Sequence, residues 1–191
     1  MPNLAPLASP LESLMSWSRT ARLAAPLALL ALLAGCGDGS MKFAPACPEI
    51  SLLAEGADPT RFAGTGRDVT DRVLEARLTG VEGACRAGRN DEVVTTLKVQ
   101  AELRRGPAAQ GRRLQLPYFV AVLEGDRILD RKDFVLEANF PANVDGTRVM
   151  GEELELRFPA SAERGAARYR VLVSLQLTAE ELALNRRAAG R

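Results

Sequence analysis

Val93–Arg104 reads VVTTLKVQAELR, and its side chains alternate without a break. One row carries Val93, Thr95, Leu97, Val99, Ala101 and Leu103. The other carries Val94, Thr96, Lys98, Gln100, Glu102 and Arg104. A period of two belongs to a strand, because successive Cβ atoms point to opposite faces of a sheet. An apolar row backed by a mainly polar one marks a strand with one face on a core and the other in water. The stretch is long for such a strand, and the same signature recurs along the chain.

In Leu114–Leu123 the row Leu114, Leu116, Tyr118, Val120 and Val122 alternates with Gln115, Pro117, Phe119, Ala121 and Leu123. Both rows are largely apolar, so this strand is expected to pair centrally. Pro117 cannot donate to a ladder and belongs at an edge, a bulge or a strand end. The surplus row Phe119, Ala121 and Leu123 would be a docking surface if bare, but a second sheet is expected to cover it. Glu124-Gly125-Asp126-Arg127 is a hairpin signal, and Ile128–Phe140 returns with Phe134, Leu136, Ala138 and Phe140 on one side. After the loop Pro141–Gly146, Met150–Phe158 sets Leu154, Leu156 and Phe158 against Glu153, Glu155 and Arg157. Arg168–Leu177 turns Tyr169, Val171, Val173, Leu175 and Leu177 inward. Glu49–Ala54 and Val73–Gly80 are weaker strands. About seven strands with turn chemistry between them predict an all-β fold, an antiparallel β-sandwich of immunoglobulin-like type. Thr178-Ala179-Glu180-Glu181 is a capping box that opens a short C-terminal helix over 179–187, with Arg186 and Arg187 near its negative end.

The amino terminus answers where such a domain works. Arg19 and Arg22 precede the apolar run Leu23–Leu33, which at 1.5 Å per residue spans about half of a roughly 30 Å hydrocarbon core. That is a secretory signal rather than a membrane span. Its end, Leu33-Ala34-Gly35-Cys36, resembles the bacterial lipoprotein lipobox. The resemblance implies that Cys36 takes a diacylglyceryl group, that the chain is cut before it, and that the new amino group is acylated. Two or three acyl chains hold a protein firmly on a membrane. The segment before Met15 is rich in proline and carries Glu12, so Met15 is expected to be the true initiator. Gly37, not aspartate, follows Cys36, which by the same resemblance favours the outer membrane, facing the periplasm. The expected organisation is a signal over 1–35, lipidated Cys36 and a tether through 46, and one sandwich domain over 47–191.

Removing residues 1–35 from the 191-residue chain leaves 156. It also takes away Arg19, Arg22 and Glu12 from totals of 25 basic and 24 acidic residues, leaving 23 of each sign. A neutral chain has no electrostatic footprint for nucleic acid, so no nucleic-acid partner is expected. There is no histidine, which removes the commonest general base and the commonest zinc ligand. No serine sits in G-x-S-x-G. No enzyme activity and no cofactor are expected. With Cys36 acylated, Cys47 and Cys85 remain. In the oxidising compartment that the lipobox implies they read as a disulfide, and a metal or redox pair would lack both histidine and C-x-x-C spacing.

Two clusters of charge remain as candidates. Arg104 and Arg105 end the long strand, and Arg112 and Arg113 lie across the following loop; together they could grip a carboxylate or phosphate. Their alternative role is a solvated turn whose charge discourages edge pairing. Glu124, Asp126, Asp130 and Asp133 surround the hairpin, but they match no calcium-loop spacing, and Arg127, Arg131 and Lys132 neutralise them. No metal site is expected. Glu152–Glu153 and Glu180–Glu181 are adjacent in sequence, and neighbours on a strand face opposite ways, so neither reads as a catalytic carboxylate pair.

Beyond the lipobox, GAARYRVLV (Gly165–Val173) is similar to the approach to strand F in fibronectin type III and immunoglobulin-like domains, where a tyrosine hydroxyl bonds back to the backbone. RGPA (Arg105–Ala108), LPYFVAVLEGDRILDRKDF (Leu116–Phe134) and LQLTAEELALNRR (Leu175–Arg187) resemble segments of a group of proteobacterial lipoproteins of unknown function. That likeness implies no activity. The expectation is a membrane-anchored envelope module that binds another envelope protein through a strand edge or a loop surface. The alternative is a periplasmic protein that binds an anionic small molecule or a peptidoglycan fragment at the arginine corner.

Overall fold

The computed structural model describes residues 46–161 and 164–189. The expected signal over 1–35, Cys36 and the expected tether up to Pro45 lie outside the described residues. Among them, nine strands form: β1 (Glu49–Leu52), β2 (Thr60–Phe62), β3 (Arg72–Ala87), β4 (Glu92–Arg105), β5 (Arg113–Glu124), β6 (Arg127–Asn139), β7 (Gly146–Met150), β8 (Leu154–Pro159) and β9 (Tyr169–Leu175). A helix, α1 (Ala179–Ala189), closes the chain. One sheet runs β1-β9-β5-β6. In the other, β2, β3 and β4 are neighbours in that order, and β7 and β8 both pair with the far side of β4. The two sheets enclose one core, which makes the described residues an all-β sandwich.

The inward row of β4 is the centre of that core. Val93, Thr95, Leu97, Val99, Ala101 and Leu103 are each at most 1 % exposed, as the alternation predicts. Opposite them lie Leu116, Tyr118 and Val120 of β5, Leu136 of β6, and Val171 and Val173 of β9. Each large apolar side chain buried this way contributes about 1.5–3 kcal/mol. The Thr95 hydroxyl is enclosed among them with no hydrogen-bond partner among the described residues. Tyr118 stacks on Phe134 with ring centroids 5.4 Å apart. Burial pushes its phenol above the usual range, and nearby Glu152 adds to the shift.

Three expectations are corrected. The sandwich is not antiparallel throughout, because β1 pairs parallel with β9, Glu49 opposite Arg170 and Leu52 opposite Val173. The weak strand at Val73–Gly80 continues to Ala87. Its second half lacks an apolar alternation and is held extended by β4, which it follows to Ala87 opposite Val93. The turn between them uses Asn90 and Asp91 at φ 53° and 55°, residue types that tolerate the left-handed region. The strand expected over Met150–Phe158 is two strands. Across Gly151–Glu153 the register slips by one, Met150 facing Gln100 and Leu154 facing Leu97. The inward residues change from Thr147 and Val149 to Leu154, Leu156 and Phe158, so one extra residue keeps the apolar row on the core. Gly151 sits where that slip occurs. A Cβ there would come within 3.1 Å of Leu136 and of the Tyr118 hydroxyl.

Tyr169 opens β9, the last strand, and is buried. The corner geometry is not formed: the Arg168 guanidinium donates to the Tyr169 hydroxyl, and among the described residues that hydroxyl reaches no backbone carbonyl. The capping box at the helix does form. The Glu181 N–H donates to Thr178 Oγ1 at 3.1 Å, and the Thr178 N–H donates to Glu181 Oε2 at 2.8 Å. α1 then docks through Arg61 to Glu181 (2.9 Å) and Arg186 to Glu55 (3.0 Å). Thr178→Ala is expected to lower stability by about 1 kcal/mol, read by chemical denaturation. No loss would mean that docking, not the cap, holds the first turn.

Candidate functional site

A sandwich has two lateral sides on which backbone groups can be left unpaired, and here they differ. On one side, β1 and β2 are edge strands of four and three residues. The sulfurs of Cys47 and Cys85 lie at disulfide distance, with Cα atoms 5.9 Å apart, which ties the entry of β1 to β3. The Ala76 N–H donates to Pro59 O at 3.0 Å and the Leu78 N–H to Ala57 O at 2.7 Å. Residues 57–62 therefore run along the outer edge of β3. This side is closed along β3, leaving only the short outer edges of β1 and β2.

The other side is open. β6 ends its sheet, and among the described residues no strand pairs with its outer edge. It is 13 residues long, and every residue from Arg127 to Asp133 is exposed. The hairpin that produces it turns at Gly125, φ 60°, as a left-handed first turn residue requires. Ile128 is 63 % exposed, Leu129 41 % and Val135 51 %. Val144 and Met150, also exposed, lie just beyond β6 and at the end of β7, and β6 and β7 approach each other across this side. Among the described residues, the other exposed large apolar side chains are Leu53 and Val69. An edge of this length presents a row of free N–H and C=O groups to another chain. A bulge interrupts it, since Val122 faces Asp130 and Leu123 faces Ile128, leaving Leu129 without an opposite residue.

The acidic residues of the hairpin are neutralised. Arg127 pairs with Glu124 (3.1 Å), Arg131 with Asp133 (3.2 Å), Lys132 with Asp130 (3.9 Å) and Arg170 with Asp126 (3.6 Å). Among the described residues no three His, Cys, Asp or Glu side chains converge as metal ligands. The Arg131 guanidinium lies over the Phe119 ring, 4.1 Å from its centroid. This corrects the reading of the surplus apolar row. Ala121 and Leu123 are 4 % and 8 % exposed, yet the second sheet covers Leu116, Tyr118 and Val120 instead. The outer row is shielded from its own side, between cross-strand neighbours Arg131, Leu172 and Arg170.

The four arginines are divided. Arg104 and Arg105 share a cleft of about 200 Å³ with Arg72, Glu75 and Asp145; Arg112 and Arg113 do not line it. Arg105 donates to Asp145 (3.0 Å) and to Gly111 O (3.0 Å), and Arg72 is paired with Glu75. Arg113 opens β5 opposite Asn139 and Arg112 precedes it, both exposed. A larger cleft of about 530 Å³ lies between β2 and the start of α1, lined by Arg61, Phe62, Arg67, Glu180 and Glu181 among others. Its two cations are taken by its own two acids, Arg61 by Glu181 and Arg67 by Glu180. Of the other carboxylates weighed as a pair, Glu153 is exposed and paired with Lys98 at 3.3 Å.

No protein-family model, no curated protein and no solved structure matches this chain. Among the described residues no helix is long and apolar enough to cross a membrane. The open edge was only half visible beforehand. The sequence marks Ile128, Leu129 and Val135 as strand residues, but being at an edge is a property of neighbours. The one signal available was the run Asp130-Arg131-Lys132-Asp133, because charge on both faces of a strand is unusual away from an edge.

Proposed function

We propose that this chain is a lipid-anchored, non-enzymatic interaction module of the bacterial cell envelope, facing the periplasm from the outer membrane. Its partner adds an extended segment to β6. The resemblance of Leu33–Cys36 to a lipobox supports the address. The observation that carries the interaction is the unpaired β6 edge, with Ile128, Leu129 and Val135 exposed along it. In strand addition, main-chain hydrogen bonds supply affinity and alternate side chains supply selectivity. The arginine corner is the weaker site, because Arg72 and Arg105 already hold carboxylates.

The test is cross-linking and recovery of the native, anchored chain from its own envelope. Cys36→Ala serves as the anchor control, and Ile128→Lys/Leu129→Lys/Val135→Lys as the edge variant. Recovery of a protein partner is expected to fall at least about tenfold in the edge variant, the cost of charging an apolar contact row. Undiminished recovery from a folded edge variant would sink the reading.

A further inference from the structure

The outward row of β6 reads Leu129, Arg131, Asp133, Val135. These residues face the same side as Phe119 and Pro117, which lie opposite Asp133 and Val135. Reversed, the row reads Val, Asp, Arg, Leu. An antiparallel strand of identical sequence, placed with Lys132 opposite Lys132, therefore sets Arg131 against Asp133 twice and Leu129 against Val135 twice. Each residue of the row meets a chemical complement. We infer that β6 pairs antiparallel with β6 of a second copy of this chain, about a dyad at Lys132, making one continuous sheet of the two β1-β9-β5-β6 sheets. The inference rests on β6 being the interaction edge and names the partner.

The register is discriminating. A slip that pairs outward with inward residues is excluded, because opposed residues in a sheet share a face. The neighbouring registers that keep faces matched are centred on Arg131 and on Asp133. The first sets Arg131 against Arg131, the second Asp133 against Asp133, and both set an apolar residue against a charge. Of these three registers, only the dyad at Lys132 gives no like-charge pair and no charge against an apolar residue on this row. On the other face the two Lys132 side chains meet and Asp130 faces Phe134 of the second copy; each Lys132 is paired with Asp130 of its own strand at 3.9 Å and lies diagonal to Asp130 of the second copy, so the register is chosen by the outward row. The Arg131 and Asp133 side chains, 50 % and 59 % exposed, pair with each other within the strand at 3.2 Å, and the second copy exchanges each such pair for two across the strands, so the complement adds to charges already neutralised rather than filling vacant ones. The bulge at Leu129 limits the matched stretch to Leu129–Val135.

The test places the photoreactive residue p-benzoylphenylalanine at Val135 of the full chain in the cells that express it. Irradiation is expected to give a product of twice the chain mass. Arg131→Asp, or separately Asp133→Arg, is expected to reduce that product at least about tenfold through like-charge repulsion. The exchange Arg131→Asp/Asp133→Arg is expected to restore it to within about twofold, since the complement is then reversed but intact. Thermal melting of each variant shows that it is folded. A doubled product indifferent to the single substitutions would overturn the pairing. A product of some other mass alone would overturn self-pairing while leaving β6 an interaction edge. No product from a folded chain would overturn both.

Discussion

Phe158→Ala is expected to lower the free energy of unfolding by about 3–5 kcal/mol, the range for deleting a buried aromatic ring. Phe158 is 2 % exposed on β8, and its ring lies 5.1 Å from that of Tyr169 at the start of β9. β8 belongs to one sheet and β9 to the other, so this contact is a tie between layers. Neither strand can move in to fill the gap. β8 is held to β4 from Glu92 to Leu97, and β9 to β5 on one side and β1 on the other. A loss of this size is at least about a fifth of the stability of an ordinary domain, about 5–15 kcal/mol. Guanidinium denaturation should show a lower midpoint with an unchanged slope. A loss under about 1 kcal/mol would mean that the sheets are held apart elsewhere and the site relaxes freely.

Cys47→Ser/Cys85→Ser is expected to cost about 4 kcal/mol in the chain-entropy account, for a sequence separation of 38. The geometry adds a local effect. β1 has four residues and, among the described residues, pairs only with β9; without the tie to β3 it is a short parallel strand held by that pairing and by Ile50 and Leu52 against the core. Hydrogen exchange in β1 should accelerate more than in β4, whose inward row is buried from end to end. Equal stability with and without a reductant would show that the pair is not cross-linked in the native protein. The closed side of the sandwich and its open side thus respond differently to substitution: cysteine loss acts on folding, whereas charge on β6 acts on association.

The strands β4, β5 and β6 could be placed to within a residue or two because their alternation is long and each carries an apolar row. β2 could not, since three residues, Thr60-Arg61-Phe62, make no period. The slip at Gly151 was missed for a related reason. Leu154, Leu156 and Phe158 alternate correctly, and so do Thr147 and Val149; only the phase between the two groups betrays the extra residue. The disulfide partners were legible by count within an inferred compartment, and the helix by its capping box. The four-arginine cluster failed because proximity along the chain says nothing about salt bridges to distant carboxylates. Asp145, which holds Arg105, lies 40 residues away.

From the order of residues alone follow the class of the fold, the inward rows, the helix start and the exclusion of histidine chemistry. These depend on local periodicity and composition, which the chain carries within a few residues of each site. The parallel seating of β1 beside β9, the cover of Arg131 over Phe119 and the freedom of the β6 edge follow from packing in three dimensions. Whether a strand is central or an edge is set by which segments, far apart in the chain, compete to bury apolar surface and satisfy backbone groups beside it. In this chain residues 57–62 and the Cys47–Cys85 tie occupy one side, and on the other no strand among the described residues pairs with the outer edge of β6.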